Sequence, residues 1–420
     1  MTDLERRVLA ALDPEALVDT LCRFVAVRSL NGTPGEDDAQ RFFAGEMRAI
    51  GLDVDTWPLD MPSLRRHPAY TAETERAEGL GVTGSMGRGD GPSLILNGHV
   101  DVVPVGDERR WTYPPWQGTV ADGRVYGRGA LDMKGALCCA LFAAKAIRDA
   151  GVALAGRLLI QSVIGEEDGG TGTLGAIVRG PGADAAIVME PTELQLAPAQ
   201  AGALNFRITV PGRTAHGAMR AEGVSAIEKF VPILQALLAF EADRNEAIRD
   251  PLFASYALPI PLCPGIVRAG HWASNVAESL VCEGRYGIAV GEDLAAARDR
   301  FEDAVARAAL EDPWLSEHPP LVEWWGAQFA PASIPADHAI VRAVGAAFED
   351  AAGRTPRLQG MTYGADMRLL VNQGGIPTMM FGPGDIRVAH QPDEHVPIDD
   401  LVTATRTLAL TAVRFCGTRA

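Results

Sequence analysis

Leu94-Ile95-Leu96-Asn97-Gly98-His99-Val100-Asp101 reads as an apolar strand that halts at a glycine and delivers an imidazole and a carboxylate two residues apart. Such a pair suits a metal site. Neutral imidazole binds zinc through one ring nitrogen, and its other N–H needs an oriented acceptor, usually a carboxylate, which Asp101 offers. Alone the pair decides little, because a histidine after a buried strand is more often a packed loop residue. Later strands repeat the pattern: 157–164 runs into Gly165-Glu166-Glu167-Asp168, and 185–189 into Glu190-Pro191-Thr192. Three apolar strands thus carry histidine or acids at their C-terminal ends, the edge where open α/β sheets bind ligands. Near-continuous apolar strands alternating with helices predict an α/β domain with a mainly parallel central sheet covered by helices.

Around this centre the chain opens helically from Asp13-Pro14-Glu15, with a second helix over 36–50 and a short strand over 52–57. The polar stretch 61–92 reads as a loop with an edge strand, and its role is not legible. Gly127-Arg128-Gly129-Ala130-Leu131-Asp132-Met133-Lys134-Gly135 leads into an apolar helix over 136–148, so Asp132 stands near a helix start, where an N-cap is the ordinary use of an acid. Near residue 201 the pattern changes, since Leu204 to Val210 alternates apolar and polar residues as a strand with one wet face does. A smaller two-layer α+β unit is expected over 201–327: a helix near 222–242, a proline-punctuated loop over 250–275, a strand over 278–290 and a helix over 293–310. The larger domain, 1–200, resumes at 328–420 with a helix over 336–351, a strand over 376–381, His390 in a loop, and a last helix over 398–415.

Composition bounds the chemistry. The 420 residues, 47% hydrophobic and 22% charged, suffice for two or three domains with a core that needs no metal or disulfide to fold. A net charge of −16 disfavours nucleic acid and anionic membrane as partners, which leaves small molecules. The N-terminus is charged and amphipathic, and no apolar run reaches spanning length, so the expected location is the cytoplasm. Six cysteines show no C-x-x-C spacing and read as free thiols.

His99, Asp132, Glu167, Glu190 and His390 are enough for two cations, with one carboxylate bridging and each ion also receiving one His and one Glu. Mixed nitrogen and oxygen ligation suits zinc and tolerates cobalt or manganese. Glu166, adjacent to a ligand but not needed as one, fits a general base that later becomes the general acid.

The chain resembles the di-zinc hydrolase family of acetylornithine deacetylase, succinyl-diaminopimelate desuccinylase, aminoacylase and carboxypeptidase G. The resemblance is carried by the order of Asn97-Gly98-His99-Val100-Asp101-Val102-Val103-Pro104, the 127–135 stretch, Gly165-Glu166-Glu167, Met189-Glu190-Pro191-Thr192 and the late His390. It implies that His99 and Glu190 hold one metal, Glu167 and His390 the other, that Asp132 bridges, that Glu166 shuttles the proton and that Asp101 orients His99. It implies further that the inserted domain is a lid through which a homodimer forms, that His216 polarises the scissile carbonyl, and that Arg285, with Asn275 assisting, binds a substrate carboxylate. The implied activity is hydrolysis of a small N-acyl compound, foremost an N-acyl amino acid; a dipeptidase or carboxypeptidase, or a deformylase of N-formyl pyrimidines, is the alternative within the family. A metal-binding protein without catalysis is a different class of answer, and Glu166 argues against it. A two-metal phosphoesterase lacks an evident phosphate clamp.

Overall fold

The computed structural model describes residues 1–180 and 182–419, and the chain divides into two compact units. The first comprises Met1–Ala199, Ser333–Gln359 and Ala365–Ala420; the second comprises Gln200–Ala332 and Gly360–Gly364.

In the first unit six strands form one sheet in the order Asp53–Pro58, Leu80–Met86, Arg157–Val163, Ser93–His99, Ala185–Val188, Thr378–Met380. The last four run parallel and the first two join antiparallel, so the sheet is mainly parallel. Leu94, Ile95 and Leu96 are fully buried, as an unbroken apolar strand requires. Helices Gly35–Ala49, Gly135–Asp149, Thr171–Arg179 and Ile398–Cys416 pack on the sheet. Gly98 permits a close approach there, since a Cβ at that position would lie 2.9 Å from the Met133 methyl and 3.0 Å from Leu137.

One local feature departs from the sequence expectation, and one helix had no reading there. Leu80–Met86, read as an edge strand, lies one place in from the edge, which Asp53–Pro58 occupies. The helix Thr171–Arg179 begins in Thr171-Gly172-Thr173, where glycine lowers intrinsic helix preference. Packing overrides that preference: a Cβ on Gly172 would lie 2.5 Å from the main chain of Ile164, so only glycine lets the helix seat there.

The second unit is a four-stranded antiparallel sheet in the order Leu262–Ala269, Ser279–Ile288, Gly202–Pro211, Leu321–Phe329, with helices Ala226–Glu246 and Leu294–Leu310 packed on it. Gly202–Pro211 alternates buried and half-exposed residues from Leu204 onward, as its pattern predicts. The expected loop at 250–275 contains a strand instead. Leu262–Ala269 carries Pro264 at a register shift on the sheet edge, the one kind of place where proline does not cost a ladder hydrogen bond. The short return Gly360–Gly364 also belongs to this unit, held by the Ala201 N–H on the Met361 carbonyl at 2.7 Å. No local pattern signals it.

Candidate metal centre

The C-terminal ends of the parallel strands of the first unit, with two loops, supply the candidate residues. His99 ends its strand, Glu166 and Glu167 follow the strand Arg157–Val163, and Glu190 follows Ala185–Val188. Asp132 sits in the turn before the helix Gly135–Asp149, whose N-cap position makes no side-chain hydrogen bond, so Asp132 does not cap it. The peptide after Asp132 is cis. His390 stands in a loop with a left-handed φ of 61°.

The five expected ligands converge. His99 Nε2 lies 3.1 Å from Oδ1 of Asp132 and 3.7 Å from Oε1 of Glu190. His390 Nε2 lies 3.5 Å from Oδ2 of Asp132 and 3.3 Å from Oε2 of Glu167. Asp132 therefore turns one oxygen to each histidine. Glu166 reaches within 4.0 Å of His99 Nε2 through Oε2. Asp101 is opposite His99, but through its main chain: Nδ1 lies 2.9 Å from the Asp101 carbonyl and 3.7 Å from its carboxylate. A carbonyl only accepts, so Nδ1 donates to it while Nε2 faces the acids. The Asp101 carboxylate instead accepts the main-chain N–H groups of Glu166 at 3.3 Å and Glu167 at 3.0 Å.

The electrostatics are those of a site short of positive charge. Burial together with the neighbouring Glu190 pushes the Glu166 carboxyl well above its usual range, and burial with Asp132 does the same to Glu190. Burial also raises Glu167, against the pull of His390. Burial disfavours charge on His99, yet its hydrogen bond to Asp132 and the charges of Asp101 and Glu190 outweigh that and hold its pKa well above the usual value. For His390 burial is likewise outweighed, by Glu167 and Asp132, and the pKa rises to about 11. Burial opposes ionisation of Asp132, but hydrogen bonds from both histidines hold it below the normal carboxylate range.

A cation would relieve this crowding. Among the described residues, Oε1 of Glu166 and Oε1 of Glu190 are buried and accept no hydrogen bond, a costly condition unless a positive partner completes them. Among the described residues, two groups have donor atoms within reach of one ion: His99 with Asp132 and Glu167, and His99 with Glu166 and Glu190. Imidazole plus carboxylate is the donor chemistry of zinc, cobalt or manganese, so the residues fit the expected group.

Three supporting residues escaped the sequence reading. Arg76, from the polar stretch without a legible role, is buried and pairs with Glu36 at 2.8 Å and Asp168 at 2.9 Å. It braces the turn that carries Glu166, where Gly165 has a φ of +66° and a Cβ would meet the guanidinium at 3.0 Å. Asp168 also accepts the N–H of Thr74 at 2.8 Å, which docks the polar stretch on that turn. Glu394 is buried against the Asp132 turn. The run of three acids at 166–168 was a signal for Asp168; nothing local marks Arg76 or Glu394 as interior.

The remaining candidates belong to the second unit. His216 and Asn275 are exposed and face each other as a β-bridge, and His216 Nδ1 accepts the N–H of Ala218 at 3.1 Å. Arg285, half-buried on the strand Ser279–Ile288, donates to the Thr362 carbonyl at 2.7 Å.

Comparison with known proteins relates the chain to one family. The family model described as Peptidase family M20/M25/M40 matches residues 95–414. The chain is 31% identical over 405 residues to N-formyl-4-amino-5-aminomethyl-2-methylpyrimidine deformylase of Bacillus subtilis, covering 90% of this chain and 89% of that protein. It is 31% identical over 357 residues to acetylornithine deacetylase of Myxococcus xanthus, covering 83% and 86%. In fold it is similar to an M20 family metallo-carboxypeptidase from Sulfolobus solfataricus, with a TM-score of 0.75 at 16% identity over 95% of this chain and 99% of that one. Among the described residues no helix is long and apolar enough to cross a membrane. The chain belongs to peptidase family M20/M25/M40 and is a metal-dependent hydrolase that cleaves amide bonds of small molecules.

Proposed function

We propose that the chain hydrolyses the amide of a small N-acyl compound at a pair of divalent cations, zinc foremost, with cobalt or manganese as substitutes. In this reading His99 and Glu190 would hold one cation and Glu167 and His390 the other, with Asp132 shared between them. The observation that carries it is the division of the Asp132 carboxylate, one oxygen toward each histidine. When bound, the cations bring the pKa of water toward neutrality and polarise the substrate carbonyl. Glu166 then takes the proton of the attacking water on its unpartnered Oε1 and returns it to the leaving nitrogen, base first and acid second. Asp101 orients His99 through its carbonyl and fixes the Glu166 main chain through its carboxylate.

For the substrate, relatives that act on an N-formyl aminomethylpyrimidine match 90% and 91% of this chain, which puts that class of compound first. An N-acyl amino acid is the second reading, and the half-buried guanidinium of Arg285 favours it, because its planar fork suits a carboxylate. His216 would polarise the scissile carbonyl, with Asn275 beside it. The first unit is the catalytic domain in this reading and the second the lid. The lid would also form a homodimer: its edge strand exposes Ile266 and Val267, and its long helix exposes Ile227, Val231 and Leu238 along one side. Six free cysteines fit a reducing compartment, and we place the enzyme in the cytoplasm.

The test is a substrate panel: N-formyl aminomethylpyrimidine, N-acetylornithine, N-succinyl-diaminopimelate and a dipeptide, each assayed with zinc, cobalt and manganese. The highest kcat/KM is expected for the formyl compound. Protein that holds the cations yet turns over no N-acyl compound would overturn the reading.

A further inference from the structure

The loops that carry Asp132 and His390 lie far apart in sequence, yet they are joined at one buried carboxylate. Glu394 has no exposed surface. Its Oε1 accepts the main-chain N–H groups of Gly129 at 2.8 Å, Leu131 at 3.2 Å and Asp132 at 3.3 Å, so the turn that presents Asp132 wraps around it. Its Oε2 pairs with Arg128, whose guanidinium lies over the Trp111 ring at 5.3 Å and donates to the Pro104 carbonyl at 3.2 Å. The main chain repeats the junction: Gly127 N–H donates to the Glu394 carbonyl at 2.9 Å, and His395–Pro397 pairs antiparallel with Arg124–Tyr126. His390 stands just upstream of Glu394 in the same loop and its side chain is half exposed, so its approach to Asp132 depends on how that loop is anchored: by this junction, and by Asp393, whose Oδ1 accepts the N–H groups of Thr112 at 2.7 Å and Tyr113 at 3.3 Å.

We propose that Glu394 is a positioning residue that sets the separation between the Asp132 carboxylate and the His390 imidazole, and so the affinity of the cation that His390 would help hold. The inference rests on the two-cation reading above. Three N–H groups converging on one carboxylate oxygen make charge-assisted bonds, and Arg128 compensates the buried charge. Glu394 lies behind Asp132 on its main-chain side, so it acts through the turn and contacts no cation itself.

The test compares the wild type with Glu394→Gln and Glu394→Asp. Gln keeps the shape but turns an amide toward Arg128; Asp keeps the charge but draws the oxygen back from the three N–H groups. Equivalents of bound metal are counted by mass spectrometry after dialysis, and each affinity is read from the visible spectrum during cobalt titration of the metal-free protein, alongside its thermal unfolding. Both variants are expected to bind the weaker cation about 10–100-fold less tightly, the usual effect of removing a group that orients a metal ligand, with the other affinity changed far less. Excess cobalt should then restore kcat. Wild-type affinities in both variants would overturn the proposal. So would equal weakening of both cations in step with a lower unfolding temperature of the metal-free protein, or failure of both variants to fold, since each makes the contact merely structural. A wild type that holds no cations would sink the two-cation reading itself, a different result from variants that match a two-cation wild type.

Discussion

The carboxylate of Asp101 accepts the main-chain N–H of Glu167 at 3.0 Å, while its own carbonyl faces His99 at 2.9 Å. One residue thus ties the histidine at the end of one strand to the acidic turn at the end of the next. Asp101→Asn leaves one oxygen for two N–H groups and faces the other with an amide donor. It is expected to lose about 1–3 kcal/mol of stability for the buried donor left unsatisfied, and about 10–100-fold in kcat/KM for the disturbed ligands. Urea unfolding and steady-state kinetics on the same preparations check both.

Glu166→Gln should retain bound metal and lose about 10²–10⁴-fold in kcat, the contribution typical of a positioned acid–base group. Metal content measured beside the rate decides the matter. Unchanged turnover with metal retained would remove Glu166 from the proton path.

Chelation should abolish activity and lower the unfolding temperature. A ligand present at 100 times its dissociation constant stabilises the native state by about 2.7 kcal/mol, and the buried carboxylates gain most from it. Differential scanning calorimetry with and without chelator reads the shift, and added zinc should reverse it.

Arg76→Met leaves Glu36 and Asp168 buried without their cation. Breaking such a pair costs about 3–5 kcal/mol. Burial already pushes Glu36 up to about 7 despite Arg76, so the loss should be smaller at pH 6 than at pH 8, where Glu36 must ionise without its partner. Denaturant midpoints at the two pH values measure it.

Glu5 is held down at about 2, chiefly by its hydrogen bond from Arg414 at 2.8 Å. A pKa depressed below the ordinary glutamate value of 4.5 contributes stability that is present above that pH and disappears as the pH falls toward 2. Glu5→Gln should therefore lower the urea midpoint at pH 6, and the gap to wild type should narrow steadily below pH 5.

His99, Asp132, Glu166, Glu167, Glu190 and His390 were legible as a set because each follows an apolar strand or opens a helix, and because their order resembles one family. Leu262–Ala269 was hidden by Pro264, and Thr171–Arg179 by its glycines, since a bulge at a sheet edge and a close helix seat are tertiary circumstances. Arg76 and Glu394 look like any surface charge in a polar stretch.

What the amino-acid order determined alone is the alternation of apolar strands and helices and the placing of acids and histidines at one sheet edge, since hydrophobic periodicity and turn chemistry act over a few residues. What only the tertiary structure decided is which oxygen faces which nitrogen: the two-sided use of Asp132, the carbonyl rather than carboxylate contact of Asp101 to His99, and the charges sealed beneath the acidic turn. Those depend on distances between segments remote in sequence, which packing sets and no local pattern encodes.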